Sequence, residues 1–434
     1  MKIQNVKGGY DFLPKEQKIR NYINGVLKET FMEYGYTSIE TPILCYLDML
    51  VDKYDENNDL LKEIYKLSDQ GGRELGLRYD LTVPFAKFIA LNKNNITMPF
   101  KRYEIGKVFR DGPVKLGRAR EFYQCDVDAC GVESPYAEIE YFMMSKEVFK
   151  EFNLDVEIRY NNRKFLSGLL EYVSVPKENI GAFITLIDKL DKLTRDDIES
   201  ELEELSSKEV VDKVFKYFEY DLEMLTSELG NTNVELLTEG INELNSLDKL
   251  IKDLNLDLCK FTPFLARGLE IYTGTVWEIF DKTGEFKSAL GGGGRYDKII
   301  TNFLHNGEEY PAIGMSFGLE PMYTLLKERE YMKTDIREEV NKYIMEIDLP
   351  GLKKEDILIN YENGYLTIKA VKKVELKTEV YVRRERFYGE VKRSFYIGEK
   401  KESDIKANYE NGILTISFPK EEIPKKEIPN ITIK

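Results

Sequence analysis

Two stretches in which apolar and polar residues alternate, MPFKRYEIGKVFR from Met98 and FYQCDVD from Phe122, lie either side of a loop carrying Lys115, Arg118 and Arg120. Alternation with a period of two belongs to strands, so the pattern predicts a β-hairpin with a cationic tip. Such a tip suits phosphate. Arg110 at the end of the first strand would then stand beside Gln124 and Asp128 on the second, within reach of one ligand. On this segment alone, an ordinary hairpin with a solvated basic loop accounts for the same residues equally well.

The rest of the sequence narrows the chemistry. There is one histidine, His305, and the four cysteines Cys45, Cys125, Cys130 and Cys259 are irregularly spaced. No metal site and no disulfide framework is expected, and Ser-His-Asp or Cys-His catalysis lacks its base. Chemistry is left to carboxylates, arginines and a metal that is bound with the substrate. The 434 residues suggest two or three domains, and no apolar run is long enough to cross a membrane. MKIQNVKGGYDF lacks the apolar core of a signal peptide, which makes the cytoplasm the expected location. The last hundred residues carry 20 Lys and Arg against 19 Asp and Glu, a net +1, so the rest of the chain carries −15 and the whole −14. That charge disfavours broad nucleic-acid binding but leaves room for a local contact.

In chain order, apolar residues from Ile19 to Met32 recur at helical spacing within Gln17 to Tyr34, Gly35 ends the helix, and YTSIETPIL reads as a short strand. ELGLRYDLTVPFAKFIALN begins as a strand and turns helical after Pro84; Asp80 and Thr82, two apart on a strand, would face one side. A carboxylate and a hydroxyl so placed suit an ammonium group, or else form a polar face beside an N-cap. From about 165 to 257, Leu222, Leu225 and Leu229, then Leu236, Leu237, Ile241, Leu244 and Leu247, are spaced for amphipathic helices about a turn at Gly230 to Asn233. FLARGLEIYTGTVWEIF reads as strand, tight turn and strand. SALGGGGRYDKII carries Gly291 to Gly294, better explained by a glycine-rich strand lying against a bound amino acid than by a dinucleotide fingerprint. The last hundred residues, with KYIMEIDLPGLKKEDILINYENGYLTIKA, RRERFYGEVKRSFYIG and IKANYENGILTISFP, alternate between turns and indicate an all-β sandwich.

The hairpin resembles motif 2 of a class II aminoacyl-tRNA synthetase, and REFYQCDVD resembles the histidyl-tRNA synthetase version. VKGGYDFLP at Val6 to Pro14, LGLRYDLTVPFAKF at Leu75 to Phe88 and FLARGLEIYTGTVWE at Phe264 to Glu278 agree with it in order. The resemblance covers residues 1–330 and implies an α/β (α+β) fold with a class II antiparallel sheet and a helical insertion over about 165–257. The helix and strand around Pro42 resemble motif 1, which implies a homodimer through the core. The insertion implies an approach to the tRNA acceptor stem. Residues 335–434 resemble the α-crystallin domain of small heat shock proteins, an immunoglobulin-like sandwich. The match lies in Leu349-Pro350-Gly351, the loop Arg386 to Arg393, Gly412-Ile413-Leu414, and Ile431 and Ile433 flanking Thr432. This implies that Ile431 and Ile433 dock as an added strand on a neighbouring sandwich and build a higher oligomer.

These resemblances imply ATP-dependent activation of histidine and its ligation to tRNA. Asp80, Thr82, Gln124, Asp128 and Tyr272 would hold histidine. Arg110, Arg118 and Phe122 would hold ATP with Mg²⁺, and Arg110 and Arg267 would be catalytic. Ile271 stands where the family commonly has a second tyrosine, and Pro321 where motif 3 has its γ-phosphate arginine. The resemblance stops after Glu328, and the sandwich follows where the family carries an anticodon-binding domain. Two other readings stay open: a catalytically silent relative like the regulatory subunit of ATP phosphoribosyltransferase, which also lacks that domain, and a small heat shock protein-type holdase with the sandwich as its working module.

Overall fold

The computed structural model describes residues 3–51, 59–114, 118–191, 193–267, 271–284, 286–304, 308–372 and 389–420. Ile431 and Ile433, the loop residue Lys115, Arg386 and His305 lie outside these described residues. The chain divides into two compact units, Met1–Lys282 with Phe286–Thr324, and Leu325–Lys434 with Thr283–Glu285.

The first unit is built on strands β1 (Thr37–Ser38), β2 (Leu44–Tyr46), β3 (Lys66–Ser68), β4 (Glu74–Leu77), β5 (Phe100–Phe109), β6 (Glu121–Cys130), β7 (Val156–Asn162), β8 (Cys259–Phe261), β9 (Thr275–Asp281), β10 (Gly291–Arg295) and β11 (Ala312–Gly318). Among the described residues eight of them form one sheet in the order β1-β5-β6-β11-β10-β9-β7-β8, and β2-β4-β3 form a smaller one. The large sheet is antiparallel except for the outermost pairs, β1 with β5 and β7 with β8. The expected hairpin is present, with β5 and β6 paired from Phe100↔Cys130 to Phe109↔Glu121.

Helices Pro14–Glu33, Tyr136–Glu151 and Leu319–Tyr331 follow the apolar periodicity of their sequences. The first two meet the sheet through buried Phe31 and Phe149, whose ring centroids lie 5.8 and 5.9 Å from that of Phe317 on β11. Trp277, fully buried, adds contacts to Tyr141 and Phe142 at 5.6 and 5.5 Å, each such pair contributing about 1 kcal/mol beyond burial. The insertion is helical as expected, and two glycines set its closest approach. A Cβ at Gly240 would lie 2.2 Å from the Phe165 nitrogen, and one at Gly168 2.4 Å from the Leu237 nitrogen. Helices Arg163–Tyr172 and Glu235–Asp253 therefore pack backbone to backbone.

Three local expectations are corrected. YTSIETPIL is not one strand: β1 and β2 are separated because the Thr41 nitrogen donates to the Glu104 carboxylate at 3.0 Å instead of to a ladder, and Pro42 has no N–H. The helix near Pro84 begins earlier, at Thr82, so Asp80 and Thr82 do not share a strand; Asp80 Oδ1 accepts from the Val83 nitrogen at 2.9 Å. The strand expected at Phe264 to Arg267 is a turn. Its carbonyls at Pro263 and Leu265 accept from the buried Asn161 amide at 2.8 and 2.9 Å, which replaces a strand partner.

The second unit has β12 (Thr334–Glu338), β13 (Lys342–Asp348), β14 (Ile357–Glu362), β15 (Tyr365–Lys372), β16 (Gly389–Tyr396), β17 (Lys406–Glu410) and β18 (Ile413–Pro419). They form the sheets β12-β13-β18-β17 and β14-β15-β16. Inward residues at alternate positions, Met345, Ile347, Leu366, Ile368, Leu414 and Ile416, make the core between them. Asn363-Gly364 and Asn411-Gly412 have φ of 49° and 79°, and 53° and 83°. Positive φ at both central residues is the twist that a two-residue hairpin needs. Residues 389–393, expected in a loop, lie in β16, where the Arg393 guanidinium donates to the Met332 carbonyl at 2.6 Å. No helix among the described residues is long and apolar enough to cross a membrane.

Candidate active site

Because side chains alternate along a strand, Gln124, Asp126 and Asp128 share one face of β6. The cross-strand register extends that face into two rows. One runs Glu104, Asp126, Ser316, Gly292, Glu278, and the next runs Arg102, Asp128, Gly314, Gly294, Val276. Charged side chains occupy β5 and β6 in both rows, and glycine occupies β10, joined in the second row by Gly314 of β11. The glycines leave room that other side chains of the protein fill. A Cβ at Gly292 would stand 2.3 Å from an Arg267 Nη1, one at Gly294 2.6 Å from the Tyr272 ring, and one at Gly314 1.9 Å from Asp128 Oδ1. Gly292 and Gly314 still line the cavity above them, with Arg267 and Tyr272 packed beside the glycines of β10.

A cavity of about 150 Å³ sits over this face. Asp80, Thr82, Gln124, Asp128 and Tyr272 all line it, as do Arg110 and Arg267. Arg110 Nε donates to the Tyr79 carbonyl at 3.0 Å, and its guanidinium lies 5.2 Å from the Phe122 ring centre. Arg267 Nη1 donates to the Trp277 carbonyl at 3.2 Å, its Nε is 3.8 Å from Glu278, and it lies over Tyr272 at 5.3 Å. Burial works against its charge, but Tyr272 and Glu278 outweigh that and raise its pKa. Ile271 lines the cavity as an apolar wall.

Arg118 is not brought to this cavity. Its guanidinium donates to Glu63 at 2.9 Å, and the Glu63 carbonyl accepts from the Asp111 nitrogen at 2.8 Å. Pro321 is the third residue of helix Leu319–Tyr331. The preceding Glu320 takes both Nη atoms of buried Arg20, at 2.6 and 2.8 Å, and Arg20 also lies 3.9 Å from the Phe12 ring centre. That cation is committed to the helix start.

Sequence reasoning missed Asp126, although its parity with Gln124 and Asp128 could have shown it, and it missed Arg102, Tyr296 and Ser316. Asp128 accepts from the Tyr296 hydroxyl and lies 2.7 Å from Arg102 Nη2. Arg102 is fully buried, 4.4 Å from the Phe85 ring centre. Burial raises the Asp128 pKa, while Arg102 and Tyr296 oppose the rise. Burial, and then the charge of Asp128, push Asp126 up to about 8. Its folded value thus lies above the unfolded one, so the native state binds the extra proton and loses stability as pH rises from the ordinary carboxylate range to about 8. Thermal unfolding of Asp126→Asn between these limits is expected to be less pH-dependent than that of the unsubstituted protein.

With this geometry established, the comparisons with known proteins decide the family. Residues 8–322 match the Histidyl-tRNA synthetase family. The chain belongs to that family. Residues 335–434 match the Hsp20/alpha crystallin family, so a histidyl-tRNA synthetase core and an Hsp20 domain share one chain. The chain is 48% identical over 333 residues to "Histidine--tRNA ligase 1" of Bacillus cereus (strain ZK / E33L), covering 76% of this chain and 78% of that protein. The crystal structure of histidyl-tRNA synthetase from Nostoc sp. PCC 7120 superposes with a TM-score of 0.66 at 29% identity, over 76% of each chain. A structure titled an ATP phosphoribosyltransferase regulatory subunit/histidyl-tRNA synthetase from Bacillus halodurans C shares the fold, with a TM-score of 0.64 at 22% identity over 75% of this chain and 83% of that one.

Proposed function

We propose that the core activates histidine with ATP and transfers it to its tRNA. The observation that carries this reading is the convergence of Asp80, Thr82, Gln124, Asp128 and Tyr272 with Arg110 and Arg267 around one small cavity. The acids and amide hold the amino acid, leaving its carboxylate toward the two arginines. A carboxylate oxygen attacks the α-phosphorus of ATP, pyrophosphate leaves, and a terminal ribose hydroxyl of tRNA then takes the histidyl group and releases AMP. Arg110, braced by the Tyr79 carbonyl and beside Phe122, aligns the nucleotide. Arg267 stabilises the charge that builds on the α-phosphate. Fixed cations and positioning suffice for most of the barrier reduction in such transfers. Mg²⁺ would arrive with the nucleotide and neutralise its outer phosphates, which together with water supply its preferred oxygen ligands.

A second cavity, of about 740 Å³, shares Tyr272 with the first and is lined by Arg163, Lys164 and Lys298 together with Glu133, Glu138, Glu243, Asp297 and Glu309. We assign it to the acceptor end of tRNA. Histidine-dependent ATP-pyrophosphate exchange tests the main reading. Its absence in folded protein that still binds histidine would favour the silent regulatory reading, to which Pro321 is suited.

For the sandwich we propose an assembly role with chaperone-like capacity, and for the core a homodimer. Strand β14 is an edge with Leu358 61% exposed, which suits strand addition. Replacing both Ile431 and Ile433 with glycine is expected to shift the sedimentation profile to smaller species. An unchanged profile would remove the tail from assembly.

A further inference from the structure

This inference rests on the proposed role of Arg267 and concerns what holds that cation in place. Strand β8 runs parallel to β7 as far as Phe261↔Tyr160, and the Thr262 nitrogen still donates to the Tyr160 carbonyl at 2.9 Å. Pro263 has no N–H, so the ladder ends there. Beyond it the Asn161 side chain takes over. Its amide nitrogen has two hydrogens to give, and they go to the carbonyls of Pro263 and Leu265, at 2.8 and 2.9 Å. Leu265 and Ala266 are buried, and the next residue is Arg267.

Both ends of Arg267 are therefore tied to neighbouring strands. Its backbone follows directly on the segment held by the Asn161 amide of β7, and its Nη1 donates to the Trp277 carbonyl of β9 at 3.2 Å. Asn161 pairs with Val276, the residue before Trp277. The spacing of the two anchors is thus set by the sheet itself, and Arg267 spans it. Asn161 is wholly buried and lines neither cavity, which puts it out of a substrate's reach. Its Oδ1 is buried with no hydrogen-bond partner among the described residues. An orphaned acceptor is costly, and an apolar side chain would avoid it. An apolar side chain could not fix the two carbonyls that direct the chain into Arg267.

We propose that Asn161 is a positioning residue for the activation step. It acts through Arg267, by fixing where that backbone reaches the cavity and so where the guanidinium meets the α-phosphate. A misplacement of about 1 Å in such a group costs on the order of 100-fold in rate. Asp80, Thr82, Gln124 and Asp128, which hold histidine in the proposed reading, stand on other segments, so histidine binding does not depend on Asn161.

A double-mutant cycle on the intact chain tests this, with histidine-dependent ATP-pyrophosphate exchange and equilibrium histidine binding measured for Asn161→Leu, Arg267→Ala and the two together. Leucine nearly keeps the volume and removes both donors along with the orphaned Oδ1. Exchange in Asn161→Leu is expected to fall by roughly 10- to 100-fold, with histidine affinity unchanged. Added to Arg267→Ala, the same substitution should have no further effect, within about twofold. Loss by the same factor in both backgrounds would give Asn161 a role independent of Arg267 and overturn the proposal, and so would loss of histidine affinity in step with exchange. Asn161→Ala takes the place of the leucine variant should that not fold; if neither folds, Asn161 belongs to the stability of the fold and the proposal is overturned as well. Exchange at the unsubstituted rate in Arg267→Ala would remove the reading of Arg267 and this inference with it, whereas a slow Arg267→Ala beside an unaffected Asn161→Leu removes the inference alone.

Discussion

Replacing Arg267 with alanine is expected to lower histidine-dependent ATP-pyrophosphate exchange by about 100- to 1000-fold, the usual loss when one preorganised donor to a developing negative charge is removed. The guanidinium is held at the cavity by the Trp277 carbonyl, Glu278 and the Tyr272 ring, so little reorganisation is needed when charge appears on the phosphate. Alanine removes the charge but leaves β10 and its neighbours intact. Histidine affinity should therefore change much less than the exchange rate, and the unfolding temperature should hold. A variant that exchanges at the unsubstituted rate would assign the α-phosphate to another group. Loss of histidine binding in parallel with exchange would make Arg267 a substrate-holding residue instead.

Gly293→Ala should give a large loss of stability. Successive glycines of β10 face opposite sides of the sheet, and the two sides differ in what they meet. A Cβ at Gly293 would stand 2.2 Å from the Gly314 carbonyl oxygen, 2.6 Å from the Met315 Cβ and 2.7 Å from Trp277 Cζ2. Two of these are backbone or backbone-linked, and the third belongs to a fully buried ring, so none can yield cheaply. Overpacking of this kind costs about 3 kcal/mol, and the first unfolding transition is expected to fall by roughly 5 °C or more. Gly292→Ala is the control on the other face. There the Cβ meets the end of Arg267, as well as the Trp277 carbonyl at 2.7 Å, so exchange should suffer more than stability. Equal stability losses at the two positions would contradict the division of this strand into a site face and a core face.

Much of this was legible in the sequence because period-two alternation is a strong signal. The hairpin, the sandwich with its Asn-Gly turns and the helical insertion follow from residue pattern alone, and the parity of Gln124 and Asp128 put both on one face. The missed features have a common cause: their backbone partners are side chains distant in sequence. Asn161, some hundred residues away, turns Pro263 to Leu265 into a loop. Glu104 interrupts the strand at Thr41. No local window contains those partners. The alternation did contain Asp126, but its burial between Glu104 on β5 and Ser316 on β11 is set by the cross-strand register, which no local window shows. Arg118 shows the converse. Its residue type suits ATP, while its partner in the fold is Glu63.

The empty positions along β10 also restrict how this site can change. Each glycine there is matched to a long side chain on another segment, Gly292 to Arg267 and Gly294 to Tyr272. A single substitution at either glycine collides with its counterpart, and a shorter counterpart alone leaves a void. Variants that alter the pocket are therefore reached only as pairs, one residue growing as the other shrinks. A combinatorial library that varies 292 with 267 and 294 with 272 should yield members with a reshaped, still catalytic pocket where four separate single-site libraries yield few, so this pocket is epistatic by construction.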